Sequence, residues 1–251
     1  MKTNLNLFFY NSHTNFGDQL SPFILDMMVN KDKFSIHYNK HIDGISILMI
    51  GSYLQKAIND SYIYGTGVRT DPPTEPFNQY TRLNVCAVRG PITKTFLEKK
   101  GFKVPEIFGD PALLLPLFYN PKIIPELSNK IGVIPHLTNY NKYKSLEKNI
   151  KYCLINPLEN WRDVINKLFS CKYIISSSLH GLICSDAYNK PNIWLDEYRL
   201  IEGDLKFRDY FMSQSRDYIK IQQIEDFDET KLYSGGNRID LEKLRNAFPF
   251  S

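Results

Sequence analysis

The run Ile174-Ile175-Ser176-Ser177-Ser178-Leu179-His180-Gly181 sets three hydroxyls, several backbone N–H groups and one imidazole where an apolar run gives way to helical spacing. Tyr173 to Ile175 reads as a buried strand, and Leu179 to Tyr188 repeats its apolar residues as a helix does. A helix N-terminus directs N–H groups and the positive end of its dipole outward, which suits an anion. A histidine there exchanges protons near neutral pH. The expected chemistry is acid–base work on a negatively charged substrate. His180 leads the candidates, with Ser177, Ser178, Leu179 and Gly181 shaping the turn.

Other candidates stand at similar junctions. Arg89, in Val88-Arg89-Gly90-Pro91, ends one apolar run just before a helix start. Its fork either grips a carboxylate or phosphate or pairs with a structural aspartate such as Asp110. His136, in Ile134-Pro135-His136, ends another run, as a turn residue or as a second imidazole at the same edge. Lys206 and Arg208 lie near a helix start, on a solvated face or reaching a phosphate. Asp18, in Asn15-Phe16-Gly17-Asp18, either caps a helix or holds a substrate hydroxyl. Gly65-Thr66-Gly67 and Gly51-Ser52 end strands where glycine permits close approach. With no third glycine, GxG is not a dinucleotide fingerprint. There is no Gly-x-Ser-x-Gly elbow and no HExxH, so neither a serine hydrolase nor a divalent-metal site is expected.

These residues need a scaffold of alternating strands and helices. Strands are expected at 5–10, 45–50, 62–64, 84–88, 106–108, 130–134, 152–155, 173–176 and 192–195. Helices are expected at 19–28, 92–100, 161–169, 179–188, 207–212 and 241–247. The proline-rich stretch 113–125 reads as a crossing between halves. Alternation of this kind gives parallel sheets clothed by helices, with ligands outside the C-terminal strand ends. The turns carrying Gly, Ser, Arg and His fall at that edge.

Composition narrows the function further. The 251 residues are 43% hydrophobic, enough for a large core. The net charge of +4 is dispersed, so no nucleic-acid footprint is expected. Mild basicity is compatible with anionic substrates or an anionic membrane surface. Cys86, Cys153, Cys171 and Cys184 form no CxxC pair and read as free thiols in a reducing compartment. The start reads as a strand rather than a signal peptide, and no stretch approaches the ~20 apolar residues of a bilayer span. A cytoplasmic protein, touching the membrane's inner face at most, is expected.

The ordered set Asn15-Phe16-Gly17-Asp18, Gly65-Thr66-Gly67, Val88-Arg89-Gly90-Pro91, Gly109-Asp110-Pro111-Ala112, Ile134-Pro135-His136 and Ser177-Ser178-Leu179-His180-Gly181 resembles the polysaccharide pyruvyl transferase family. So do Lys206-Phe207-Arg208-Asp209-Tyr210 and the closing Leu244-Arg245-Asn246-Ala247-Phe248-Pro249. The resemblance implies an α/β, GT-B-like fold: two Rossmann-like halves with mostly parallel sheets facing a cleft. Residues 1–120 would form the acceptor half, 121–236 the donor half, and 237–251 a closing helix returning to the first half. It implies phosphoenolpyruvate as co-substrate, with no other cofactor, and a saccharide or lipid-linked oligosaccharide as acceptor. The product would be a pyruvate ketal across two hydroxyls, with phosphate released. By the same resemblance His180 and Arg89 are linked with donor use. His180, Arg89 and Asp18 are the expected catalytic set. Ser177, Ser178, Leu179, Gly181, His136 and Lys206 are expected at the donor, and Asn15, Gly17, Gly65, Thr66 and Gly67 at the acceptor. Two other readings stay open: a nucleotide-sugar glycosyltransferase on the same architecture, and a polysaccharide-binding protein without catalysis.

Overall fold

The computed structural model describes residues 1–11, 14–40, 42–69, 81–197, 203–236 and 238–251. The first sheet comprises β1 (Thr3–Phe8), β2 (Phe34–Tyr38), β3 (Ile45–Leu48), β4 (Ser61–Tyr64) and β5 (Leu83–Ala87), in the spatial order β2-β1-β3-β4-β5. The second comprises β6 (Ile131–Ile134), β7 (Tyr152–Leu154), β8 (Tyr173–Ser176), β9 (Asn192–Leu195) and β10 (Lys220–Ile221), in the order β10-β9-β8-β6-β7. Read from its other edge, the second sheet repeats the order of the first. All pairings between these strands are parallel. The chain is therefore an α/β protein with parallel sheets, as the alternation predicts, in two Rossmann-like halves, as the family resemblance implies. In each half, the first strand lies between the second and third. Connections from the first and third strands then leave toward opposite faces and open a crevice between them. That crevice falls between β1 and β3 in one half, and between β6 and β8 in the other.

Among the described residues, six α-helices clothe the sheets: α1 (Phe16–Met28), α2 (Pro91–Lys99), α3 (Trp161–Ser170), α4 (Leu179–Ala187), α5 (Leu205–Ser213) and α6 (Leu241–Asn246). Pro91 stands at the first position of α2, where its missing N–H costs nothing. The Gly101 N–H, at φ +88°, donates to the Glu98 carbonyl just past the end of α2. Asn15, not Asp18, caps α1. Its side chain accepts from the Gly17 N–H at 3.3 Å, which moves Asp18 into the first turn. A carboxylate is favoured there by the helix dipole.

Sequence and structure differ elsewhere too. β2 was not anticipated, although Phe34-Ser35-Ile36-His37-Tyr38 alternates apolar and polar residues as a half-buried edge strand does. The strand expected at 106–108 is reduced to one bridge, Val88 with Phe108. The stretch after Asp110 does not simply cross the surface. Pro111–Leu117 winds as a 3-10 helix whose Leu113, Leu114 and Leu115 are fully buried. It packs against α1 of one half and α4 of the other. One apolar core runs through this wedge from Leu5, Leu20 and Ile24 to Leu182, Ile183 and Phe207.

The closing helix packs on the first half. Tyr64 donates its hydroxyl to the Leu244 carbonyl at 2.9 Å. Phe248 lies edge-on to Tyr64, and Phe250 to Tyr62 and Phe34. Leu244 is wholly buried while its neighbour Arg245 is exposed. Leu244→Ala is therefore expected to cost about 2–4 kcal/mol in urea unfolding. Arg245→Ala should stay within about 0.5 kcal/mol of the parent.

Candidate active site

The two crevices open into one cavity of about 280 Å³. From the first half come Tyr10, Asn15 and Asp18 after β1, Gly51, Ser52, Tyr53 and Gln55 after β3, and Arg69 after β4. From the second half come His136 and Leu137 after β6, Ser178, Leu179 and His180 after β8, and Lys206 of α5.

His180 enters from α4 and rests against the first half. Its ring packs edge-on to Phe16, with centroids 6.5 Å apart. A methyl on Gly17 would collide with its Nδ1, so glycine is what admits the imidazole. Its Nε2 lies 3.6 Å from Asp110 Oδ2, too long for a hydrogen bond, and has no hydrogen-bond partner although buried. Asp110 is itself inaccessible to solvent. Its Oδ1 accepts from the Ala112 N–H at 2.9 Å and caps the 3-10 wedge, while Oδ2 accepts from the Gly51 N–H at 3.4 Å. Asp110 thus ties the wedge, the β3 loop and the imidazole together.

Ser178 caps α4 by position but makes no side-chain bond to it. The first-turn N–H groups of α4 therefore receive no acceptor from that side chain. Ser176 braces the turn from behind: its hydroxyl donates to the Ile134 or Ser178 carbonyl and accepts from the Ser178 N–H. Gly181 packs against Ser176 and does not line the cavity. Ser177 also lies behind the wall, fully buried. Its Oγ accepts from the His136 N–H at 2.7 Å and donates to the buried Glu197 carboxylate, which also accepts from Tyr143 at 2.7 Å. This chain of bonds fixes the His136 loop.

Asp18 faces His180 across the cavity. Burial pushes its carboxyl up to about 6, and Asp110 pushes the same way. His180, Lys206 and the Asn15 side chain pull it back.

Arg89 does not reach the cavity wall. It is wholly buried. Its Nε donates to Asp209 at 3.1 Å, one terminal nitrogen to Ser52 Oγ at 2.7 Å, and the other to the Val68 carbonyl at 2.7 Å. The partner aspartate is Asp209 of α5, not Asp110. Asp209 also accepts from the Ile92 and Thr93 N–H groups at the start of α2 and from the Thr93 hydroxyl. A helix N-terminus is indeed occupied by an anion here, but the anion belongs to the chain. Gly65, Thr66 and Gly67 also stand behind the wall. Thr66 Oγ1 donates to the Gly51 carbonyl at 2.8 Å and accepts from the Tyr53 N–H at 3.0 Å, and the Gly67 N–H donates to the Gly51 carbonyl. They brace the β3 loop.

The structure thus brings His180, Ser178, Leu179, His136, Lys206, Asp18 and Asn15 to one cavity. Gly17 seats the ring from just behind. Gly51 and Ser52, read as a strand end, also line the cavity, while Tyr10, Tyr53, Gln55 and Arg69 are wall residues that sequence reasoning missed. Only the strand-end turns Gly51-Ser52 and Gly65-Thr66-Gly67, shortly before Tyr53 and Arg69, hinted at them. Among the described residues, no group of three or more His, Cys, Asp or Glu side chains could hold a metal ion, and no helix is long and apolar enough to cross a membrane.

Comparison with known proteins agrees with this architecture. The profile of the polysaccharide pyruvyl transferase family matches residues 28–197, and the chain belongs to that family. It is 27% identical over 209 residues to the uncharacterized protein L143 of Acanthamoeba polyphaga mimivirus, covering 78% of this chain and 69% of that one. It is 26% identical over 190 residues to the succinoglycan biosynthesis protein ExoV of Rhizobium meliloti (strain 1021), covering 71% of this chain and 55% of ExoV. No solved structure matches. The family match includes Arg89, Asp110, His136 and His180, while Asp18 and Lys206 lie outside it.

The raised Asp18 pKa makes a stability prediction. A carboxyl whose folded pKa lies above its unfolded value of about 3.8 binds its proton more tightly when folded. Its destabilising effect is absent below pH 3.8 and fully present above about 6. Asp18→Asn, which keeps the shape and removes the charge, should raise the melting temperature at pH 8 and leave it unchanged near pH 3.5. An equal shift at both pH values would contradict the buried-charge account.

Proposed function

We propose that this chain transfers the pyruvyl group of phosphoenolpyruvate onto two hydroxyls of a saccharide or lipid-linked oligosaccharide, making a pyruvate ketal and releasing phosphate. The observation that carries the reading is the meeting of the α4 N-terminus, Ser178, His136, Lys206 and His180 in one cavity of a pyruvyl-transferase-family fold. Phosphoenolpyruvate bears a phosphate and a carboxylate. Oriented N–H groups, a hydroxyl and an ammonium are the groups that bind such charge in a partly dry site.

In this reading His180 delivers a proton to the methylene carbon of the enol, which becomes a methyl group. The adjoining carbon gains oxocarbenium character and is attacked by the first sugar hydroxyl. The second hydroxyl closes the ring as the carbon–oxygen bond to phosphate breaks. The two hydroxyls lose two protons: one replaces the proton given to the methyl, and the other leaves on phosphate. Asp18, ionised above about pH 6, accepts a hydroxyl proton from the first-half side of the cavity. Arg89 and Ser177 act at one remove. Arg89 holds Ser52 on the wall, and Ser177 holds the backbone of His136.

The reading sets clear outcomes. Phosphoenolpyruvate should raise the melting temperature, and UDP- or GDP-sugars should not. With a productive acceptor, His180→Ala should lower phosphate release by about 10²-fold or more while the variant keeps the parent's circular dichroism. Activity should fall as pH drops through about 6, following Asp18. Stabilisation by a nucleotide-sugar alone would contradict the donor assignment. Parent-like turnover in His180→Ala would remove the imidazole from the chemistry.

A further inference from the structure

The two walls of the cavity differ in chemistry. The second-half wall carries the Lys206 ammonium, the His136 and His180 imidazoles, the Ser178 hydroxyl and the N-terminus of α4. Among the described residues, the first-half wall offers two phenols, Tyr10 and Tyr53, two amides, Asn15 and Gln55, the Asp18 carboxylate, and one cation, Arg69. Phenols, amides and a carboxylate are poor partners for a multiply charged anion. They suit a neutral polyol ring, whose C–H faces lie on aromatic rings and whose hydroxyls bond to amide and carboxylate oxygens.

Gln55 supplies a specific sign. Its Oε1 is buried yet has no hydrogen-bond partner. A buried carbonyl left unpaired is costly, and a ligand hydroxyl donating to it would remove that cost. The segment carrying it is held firmly. Tyr53 donates its N–H to Thr66 Oγ1 at 3.0 Å, Leu54 is buried in the first-half core, and Ser52 is gripped by Arg89. The wall therefore has little ordering left to lose when a ligand arrives. Burial raises the Tyr53 pKa, so its hydroxyl stays protonated as a donor. Asp18, Tyr10 and Arg69 are the charged or ionisable groups acting on it, which places all four around one space.

We propose that Tyr53, Gln55 and Tyr10 form a pyranose subsite that holds the acceptor ring beside Asp18, opposite the anion-binding wall. This deepens the pyruvyl-transfer reading and rests on it for the word acceptor, but the subsite can be tested without turnover. The probes are methyl β-D-galactopyranoside, methyl β-D-glucopyranoside and methyl α-D-mannopyranoside, studied by saturation-transfer NMR on the full chain. At least one should receive saturation at its ring protons. Tyr53→Ala and Gln55→Ala should each weaken its binding about tenfold, the size of one lost ligand contact. Their phosphoenolpyruvate-induced melting shift should match the parent's, which also shows that both variants are folded. Saturation transfer that is unchanged in both variants, or absent for all three pyranosides, would overturn the subsite. Failure of the donor reading would look different. The parent would show no melting shift with phosphoenolpyruvate while its pyranoside signal still depended on Tyr53 and Gln55, and the sugar subsite would stand.

Discussion

One imidazole crosses the seam between the two halves, and the rest of the cavity is arranged around it. His180 is delivered by the strand-to-helix turn of the second sheet but is seated in the first half, against Gly17 and Phe16 and within 3.6 Å of Asp110. Any residue larger than glycine at position 17 would take the ring's space. The geometry of His180 is therefore a property of the interface between the halves. The two crevices have to face each other for the site to exist.

Several contacts enforce that alignment. The 3-10 wedge at Pro111–Leu117 packs on α1 and α4, so burial of its leucines ties the halves together. Asp209 of α5 satisfies the start of α2 and neutralises Arg89 in a site closed to water. Loss of either charge would leave the other buried and uncompensated, a more serious loss than an exposed ion pair. The Phe16 N–H donates to the Pro157 carbonyl, and Gln19 exchanges bonds with the backbone of Glu159 and Trp161. The wall bearing Lys206 and the wall bearing Tyr10 and Tyr53 are thus presented to each other by a continuous core.

Much of this was legible in the residues, and what was not has physical causes. The turn at Ser176–His180 could be read because a β-branched run ends abruptly in hydroxyls and is followed by helical spacing. Parallel sheets followed from short apolar runs separated by helices. β2 was legible in the alternation of Phe34-Ser35-Ile36-His37-Tyr38 and was passed over, being only five residues long beside a charged stretch. Asp18 was read as a possible cap of α1 because it precedes the helical run, but the Gly17 N–H bond to Asn15 gives the cap to Asn15. Arg89 shows the firmest limit. Its type and position suited an anion, but the anion is Asp209, 120 residues further along the chain, and no local pattern carries that pairing. Tyr53 and Gln55 sit in a short 3-10 turn with no periodicity, so only the fold reveals that they face a cavity.

The most direct measurement is a crystal structure of the chain with phosphoenolpyruvate bound. The account predicts one molecule in the shared cavity, its phosphate or carboxylate against Ser178 and the first turn of α4, with Lys206 and His136 nearby. The methylene carbon should lie within reach of a His180 ring nitrogen, and Tyr53 and Gln55 should stay free of the donor. A molecule bound with its charged groups on the Tyr10 and Tyr53 wall, or outside the cavity altogether, would contradict it.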